Sequence, residues 1–415
     1  MMSKSTPSPQ KIFLWNILGS LSTAAISVLL LLVVSRTLSD FEADIFSIAY
    51  AIGNLLNIVG SFQVRNFQAT DIKGKYQFYD YLMARIWTCA LMMAATFIYI
   101  YWQQYDSYKS FVILLISLYR MTDAFSDVFQ GLFQQKERLD IAGKSLCYRN
   151  ILLFLVFSCA LFMTKNLLVS LFLLCLVSIC FIFVYDISYT KQFLEISLKS
   201  RDRRIVLLLL KENLPLFINA FLLVYIYNQP KYSLDGLLEA GVVEQGIQKD
   251  FNILFMPVFV MNLMMFFLRP MLTKLAIHRE KKDIEGYQSL KRNIFLILFL
   301  FTGLVFLGSY FLGIPVLSIL YSTPLHQYKE SFLILMLGGI LSSFATVFDN
   351  LLTVLRKQKV LVVSFASSFL VSLFLSDHLV RSYSVFGAAL SFLVSMSVWL
   401  IISIIIYQLV KDKEF

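Results

Sequence analysis

Residues 111–133 read FVILLISLYRMTDAFSDVFQGLF. The stretch is long enough to cross about 30 Å of hydrocarbon as a helix, yet Arg120, Asp123 and Asp127 stand inside it. An arginine at the bilayer centre costs about 2.5 to 3.5 kcal/mol on insertion scales, so it persists where it faces a polar interior or a partner. Arg120 and Asp123 are spaced i, i+3 and Asp123 and Asp127 i, i+4, which puts all three on one helical face. The stretch therefore predicts an all-α polytopic membrane protein whose charges point inward, toward a cavity that handles something charged.

The rest of the chain extends that reading. Its 415 residues are 58% hydrophobic and only 15% charged, with a mean hydropathy of +0.73. Apolar runs recur from end to end and predict about twelve transmembrane helices. In the first half they cover 12–34, 44–64, 81–102, 110–133, 146–163 and 167–185. In the second half they cover 212–232, 241–269, 294–312, 331–355, 360–375 and 385–409. The basic break near Lys191 to Arg204 divides them into an N-terminal six-helix bundle over 1–190, a cytoplasmic linker over 191–211 and a C-terminal six-helix bundle over 212–415. A repeat crosses that division. FVILLISLY from Phe111, followed by VFQGLF and a basic turn, resembles FLILMLGGI from Phe332, followed by VFDNLL and a basic turn. Two halves in the same orientation form a parallel repeat, an arrangement that encloses a central site of alternating exposure. Chance similarity between Leu- and Phe-rich runs is the competing explanation.

The formal charge of +10 is distributed by topology. Basic residues gather in alternate connections, such as Lys136, Arg138 and Lys144, or Lys274, Arg279, Lys281, Lys282, Lys291 and Arg292, while the connections around Asp40, Asp106, Asn166, His326 and Asp377 are poorer in them. The positive-inside rule then places both termini in the cytoplasm. No aromatic-basic stripe points to nucleic acid. The first run is too long for a signal-peptide core and lacks a small-residue cleavage site, so it is expected to stay on the mature protein as an anchor.

Catalytic signatures are missing. There is no Walker sequence, GxGxxG, HExxH or GxSxG, and His278, His326 and His378 all fall in connections. Cys89, Cys147, Cys159, Cys175 and Cys180 lie in or beside apolar runs without metal-ligand or disulfide spacing, as inert packing residues do. Neither an enzyme nor a cofactor or metal is expected, although a membrane-embedded glycan polymerase stays open because its signatures are weak.

Polar residues inside the spans are the candidate site. If the fourth span runs from outside to inside, Arg120 lies near the midplane and the carboxylates step toward the cytoplasm, where Arg149 at the start of the fifth span could meet Asp127. Two readings compete: an ion-pair ladder that locks helices, or an anion site at Arg120 with Asp123 and Asp127 coupled to an ion. In the first span Asn16, Ser20 and Thr23 recur at helical spacing beside Gly19, either for close helix packing or as a cavity lining. Glu212, Pro215 and Asn219 offer an acidic entrance in the seventh, where Pro215 would fall in the first turn and need not kink it.

Several segments together resemble a known family. NQPKYSLD from Asn228, FMPVFVMNL from Phe255, RPMLTKLA from Arg269, RMTDAFSDVFQGLFQQKERLDIAGKS from Arg120 and FQATDIKGKYQFYDY from Phe67 look like Wzx-type polysaccharide repeat-unit flippases. These form the lipopolysaccharide and capsule branch of the multidrug/oligosaccharidyl-lipid/polysaccharide exporter superfamily. The resemblance covers essentially the whole chain. It implies a V-shaped pair of six-helix bundles that carries a lipid-linked oligosaccharide, usually on undecaprenyl pyrophosphate, across the bacterial plasma membrane. It also implies a cationic cavity, with Arg120 central, Arg36, Lys231 and Lys249 near the external mouth, and Arg65, Arg85 and Arg149 toward the cytoplasmic one. SDFEADIFS after Arg36 departs from the glycine-containing turn of many relatives. Membrane lipids, a polysaccharide polymerase and export proteins are the partners implied, for a monomeric carrier. The alternatives are a multidrug/cation antiporter of the same superfamily, expected to have a more acidic and aromatic cavity, and the glycan polymerase, expected to have a large external loop that this chain lacks.

Overall fold

A computed structural model describes residues 8–71, 74–194, 203–355 and 357–411. They form helices joined by short turns: α1 (Pro9–Thr37), α2 (Asp40–Ser61), α3 (Val64–Thr70), α4 (Phe78–Gln103), α5 (Ser107–Gln135), α6 (Leu139–Thr164), α7 (Leu167–Phe181) and α8 (Ser188–Thr190). Then follow α9 (Arg203–Glu239), α10 (Ile247–Glu280), α11 (Ile284–Gly308), α12 (Ile314–Tyr321), α13 (Lys329–Val354) and α14 (Leu361–Lys411). π-Helical turns at Ile182–Ile187 and Ser309–Gly313 join α7 to α8 and α11 to α12. α14 holds two arms, separated at Ser384, whose φ of 50° and ψ of −125° no helix contains.

Among the described residues, nine helices are long and apolar enough to cross a membrane. α5 and α10 add two more of sufficient length, at 29 and 34 residues. α5 falls outside the apolar set because it carries Lys109, Arg120, Asp123 and Asp127. The two arms of α14 count separately, and every expected span then has its helix.

Local chemistry sets the corners. After Arg36, Ser39 and Glu42 form a capping box, in which the Glu42 amide donates to Ser39 Oγ and the Ser39 amide donates to Glu42 Oε2. The capping box forms this corner within SDFEADIFS, the stretch that departs from the family's glycine-containing turn. Asp106 caps α5 by accepting from the amides of Tyr108 and Lys109. α2 stops before the expected end at 64, because Phe62 and Gln63 both take left-handed φ, 44° and 54°, and the chain restarts as α3.

Two further expectations change. Residues 203–211, expected in the linker 191–211, are the first turns of α9; residues 195–202 lie outside the described set. Pro215 is therefore interior to α9, where it leaves an i−4 carbonyl without its amide. Asp377, expected in a connection, is inside the first arm of α14. Run-length reading cannot separate a helix that projects beyond the bilayer from a loop of the same polarity.

The chain divides into two units, Met1–Phe221 and Leu222–Phe415, with the division inside α9 rather than at the basic stretch. In the N-terminal unit α5 is central and packs on α2, α4, α6 and α7. α1 lies against α6 at a glycine crossing: a Cβ on Gly143 would sit 2.1 Å from the Trp15 carbonyl oxygen, and one on Gly19 2.8 Å from the Gly143 Cα. With no hydrophobic drive between helices in lipid, such close backbone approach supplies the packing.

In the C-terminal unit α13 packs on α14 and α10. Gly338 leaves room for the Phe392 ring and Gly339 for Val258 and Met261. The two arms of α14 are joined by serines: Ser368 Oγ donates to the Ser395 carbonyl at 2.7 Å, and the hydroxyls of Ser376 and Ser391 meet at 2.5 Å. Both units expose apolar side chains, among them Phe97, Phe162, Phe299, Leu304 and Phe374, while Arg85, Arg149 and Asp186 are buried within the N-terminal unit. An apolar exterior with its charges turned inward suits a lipid environment.

Candidate functional site

The site grows from one face of α5. Arg120, Asp123, Asp127, Gln130 and Gln134 follow one another at intervals of three and four, so they form a single ladder. Arg120 Nη1 donates to Asp123 Oδ2 at 2.6 Å, and Arg149 Nη2 from α6 reaches Asp123 Oδ1, also at 2.6 Å. One turn on, Asp127 Oδ1 accepts from Arg65 Nη1 of α3 at 3.1 Å and Oδ2 from Arg85 Nη2 of α4 at 3.0 Å. Arg149 thus meets Asp123, not the expected Asp127. The rotation of α6 against α5 decides this, and no spacing within either helix encodes it.

Each carboxylate is shared by two guanidiniums. Four arginines on two aspartates leave two formal positive charges unbalanced inside a membrane protein. The set has two layers. Arg85 and Arg149 have side chains only 0% and 2% exposed, whereas Arg120, Asp123, Asp127 and Arg65 keep 16% to 25%.

The buried layer is held by hydroxyls and a helix end. Arg149 Nη2 also donates to Thr122 Oγ1 at 2.9 Å and Ser178 Oγ at 2.7 Å. Arg85 Nη1 and Thr88 Oγ1 both donate to the Gly60 carbonyl at 2.7 Å. Gly60 sits in the last turn of α2, where carbonyls lose their intrahelical partners, so the break at Phe62 and Gln63 creates the acceptor that Arg85 fills. The same break starts α3 and brings Arg65 to Asp127, to Gln130 Oε1 at 2.8 Å and to Gln134 Oε1 at 3.4 Å.

The partly exposed layer centres on Arg120. Arg120 lies over the rings of Tyr50 and Tyr119, 5.6 and 5.9 Å from their centroids. Its Nη1 is committed to Asp123, and its Nε is buried without a hydrogen-bond partner. The side chain as a whole stays 16% exposed, and a partly exposed guanidinium is suited to a carboxylate or a phosphate.

The other sequence candidates lie apart from this set. Arg36 is exposed in the last turn of α1 and none of the cluster's contacts includes it. Thr23 accepts from Asn150 Nδ2 at 3.2 Å and donates to the Gly19 carbonyl, and Asn16 takes Ser20 Oγ on its carbonyl; this stripe belongs to the α1–α6 crossing. Glu212 binds Lys75 Nζ at 2.5 Å and the Tyr76 hydroxyl at 3.0 Å, and Asn219 is half-buried on α9 with no partner for Oδ1. In the C-terminal unit Lys231 is 5% exposed and its ammonium lies 4.6 Å from the Phe255 ring centroid and 5.9 Å from that of Phe259. Lys249 is buried beside Asp250 at 3.6 Å.

Sequence reading missed Gln130, Gln134 and Asp186 as members of this interior. The first two were legible, since they continue the ladder's period. The repeat also pairs VFQGLF with VFDNLL, which sets Gln130 against Asp349. Asp349 accepts from Trp399 Nε1 at 3.0 Å and Ser403 Oγ at 2.8 Å, with no arginine on it among the described residues.

The helix order of both units is found in known transporters. The chain matches a MOP superfamily transporter from Pyrococcus furiosus with a TM-score of 0.58 at 12% identity, covering 97% of this chain and 95% of that one. It matches the Vibrio cholerae MATE transporter VcmN in its bent form with a TM-score of 0.62 at 13% identity, covering 98% and 97%. The fold is that of the MOP superfamily transporters. A curated relative, the capsular polysaccharide biosynthesis protein CapF of Staphylococcus aureus, is 25% identical over 403 residues, 94% of this chain and 97% of that protein. No family model matches the sequence. The MOP fold is the one the Wzx-type resemblance implied, and it makes the chain a multi-pass membrane protein of a transporter fold.

Proposed function

We propose that this protein is a flippase that moves a lipid-linked oligosaccharide, carried on undecaprenyl pyrophosphate, from the cytoplasmic to the outer leaflet of the bacterial plasma membrane by alternating access. The observation that carries the reading is the sharing of each α5 carboxylate by two guanidiniums, which leaves the site cationic. A sugar headgroup cannot cross hydrocarbon without losing its hydrogen bonds, and a pyrophosphate adds charge to that cost. Arg120 and Arg65, the partly exposed members, would hold the phosphate or an acidic sugar, with Arg85 and Arg149 fixing the aspartates behind them. The full-length similarity to a capsular polysaccharide biosynthesis protein supports the substrate class. Alternate basic connections support a multi-pass protein with both termini in the cytoplasm. A cation antiporter is disfavoured, because like charge would meet its substrate.

The test is translocation of a fluorescent lipid-linked oligosaccharide pyrophosphate in proteoliposomes, read by its accessibility to an external glycosidase. Wild type should move it, Arg120→Ala should not, and Arg120→Lys should keep part of the rate, because the charge survives without the planar fork. Transport by Arg120→Ala at the wild-type rate, or transport of an organic cation in its place, would overturn the reading.

A further inference from the structure

Besides Asp123 and Asp127, the N-terminal unit buries a further carboxylate, Asp186, which is held by hydroxyls and, among the described residues, by no arginine. Asp186 lies in the π-helical turn Ile182–Ile187 and is 0% exposed. Its Oδ2 accepts from Ser126 Oγ of α5 at 2.6 Å, and its Oδ1 accepts from Ser145 Oγ of α6 at 2.7 Å. The neighbours that carry or can carry charge are few. Arg149 of α6 acts on it through space, but its hydrogen bonds go to Asp123, Thr122 and Ser178. Tyr185 adjoins it on its own segment, with Tyr148 and Asp140 of α6 beyond that ring. From α5 it meets Ser126, whose oxygen accepts from Gln130 Nε2 at 3.2 Å, while Gln130 Oε1 accepts from Arg65.

Asp123 and Asp127 each hold two guanidiniums; Asp186, buried more deeply, holds two hydroxyls. A carboxyl group in a membrane interior is retained ionised beside a cation or a bound ion, or neutral with a proton. Serines from two different helices suit the last case, because a hydroxyl donates to a carboxylate and accepts from a carboxylic acid with little movement. The π turn, a local irregularity common at functional sites, presents this residue between α5 and α6.

We propose that Asp186 is a proton-binding site and that its proton sets the net charge of the arginine site. On protonation one O–H bond forms at a carboxylate oxygen, the serine facing that oxygen turns from donor to acceptor, and nothing else is consumed. With Asp186 ionised, the three aspartates and four arginines carry one surplus positive charge; with the proton bound they carry two. Anion binding at Arg120 and proton binding at Asp186 then strengthen each other by the same factor. The link to an oligosaccharide pyrophosphate rests on the flippase reading, whereas the proton site does not.

Two measurements on the full-length protein in liposomes separate these. The first, without substrate, is an infrared difference spectrum across a pH titration. Wild type should show a carboxylic-acid carbonyl band that vanishes as pH rises; Asp186→Asn should lack it, and Ser126→Ala and Ser145→Ala should keep it with a moved midpoint. Spectra of wild type and Asp186→Asn that superpose across the titration, or an unmoved midpoint of their difference band in both serine variants, overturn the site. Should Asp186→Asn fail to fold, the serine variants decide alone. The second measurement is binding of inorganic sulfate, which does not itself titrate in this range. Affinity should fall roughly tenfold across the same midpoint in wild type, and Arg120→Ala should lose sulfate binding but keep the infrared band. Sulfate affinity independent of pH in wild type overturns the coupling. Failure to move a glycan, with both results intact, would count against the flippase reading alone.

Discussion

Arg149 of α6 and Asp123 of α5 meet at 2.6 Å, with the arginine side chain only 2% exposed. Asp123 holds Arg120 on its other oxygen, so removing either arginine leaves the carboxylate one partner, but the two losses differ in depth. Without Arg149, the hydroxyls of Thr122 and Ser178 also lose their cation. Breaking a buried pair costs about 3 to 5 kcal/mol, far more than losing a partly exposed one.

Arg149→Ala should therefore lower the melting temperature in detergent and reduce the folded yield, whereas Arg120→Ala should melt close to wild type and fail in transport. An Arg149→Ala protein that melts with wild type would show that the buried layer does not support the site.

The pairing also marks where sequence reading stops. The i, i+3 contact of Arg120 with Asp123 was legible, because one helix fixes it. The partner of Arg149 was not, since it depends on how α6 is rotated against α5. Arg65 reaches Asp127 through a break made by Phe62 and Gln63, residue types that seldom adopt left-handed φ and so give no signal. Asp186 depends on a π-helical turn, which has no hydrophobic period of its own. The span count was readable because length and apolarity are properties of the chain alone.

The crossing of α1 and α6 should be intolerant of a single methyl group. A Cβ on Gly143 would lie 2.1 Å from the Trp15 carbonyl oxygen, so Gly143→Ala must push two backbones apart, at roughly 1 to 3 kcal/mol for an overpacked contact. A Cβ on Gly303 of α11 would meet nothing within 4 Å, so this position serves as the control, where alanine should stabilise slightly through helix propensity. Thermal melts of the two alanine variants, with Asn150→Ala as a milder probe of the same crossing, measure this. Equal melting of the two glycine variants would contradict the crossing.

The turn before α4 should loosen in acid. Asp71 Oδ1 accepts from the Lys75 amide at 2.9 Å, and its Oδ2 from the Tyr76 amide at 3.0 Å and the Tyr81 hydroxyl at 2.8 Å. Burial pushes this carboxyl up, but the amides of Tyr76 and Lys75 and the Tyr81 hydroxyl outweigh it and hold it below its ordinary value. A carboxyl depressed in the folded state contributes stability above its unfolded pKa and loses it as pH falls through the folded one. Hydrogen exchange at Lys75 and Tyr76, corrected for intrinsic rates, should be slow at neutral pH and accelerate below the ordinary carboxylate range. Asp71→Asn should remove that dependence; an unchanged acid profile in the variant would assign it elsewhere.

The orientation of α10 decides which side of the membrane each mouth faces. This helix runs for 34 residues, about 50 Å, from the turn after Glu239 to the turn at Lys282, where φ is 56°. Basic residues crowd its far end, at Lys274, Arg279, Lys281 and Lys282, and the positive-inside rule assigns that end to the cytoplasm. A topology reporter inserted after Lys282 should therefore read cytoplasmic. Its external counterpart does not belong at Asp235, which is buried inside α9, but at the exposed Gly241 in the connection between α9 and α10. Opposite signals at the two positions require α10 to cross the bilayer. The reverse pair would exchange the cytoplasmic and external assignments throughout, moving Lys75 and Glu212 to the outside, and identical signals would remove α10 from the set of membrane-crossing helices.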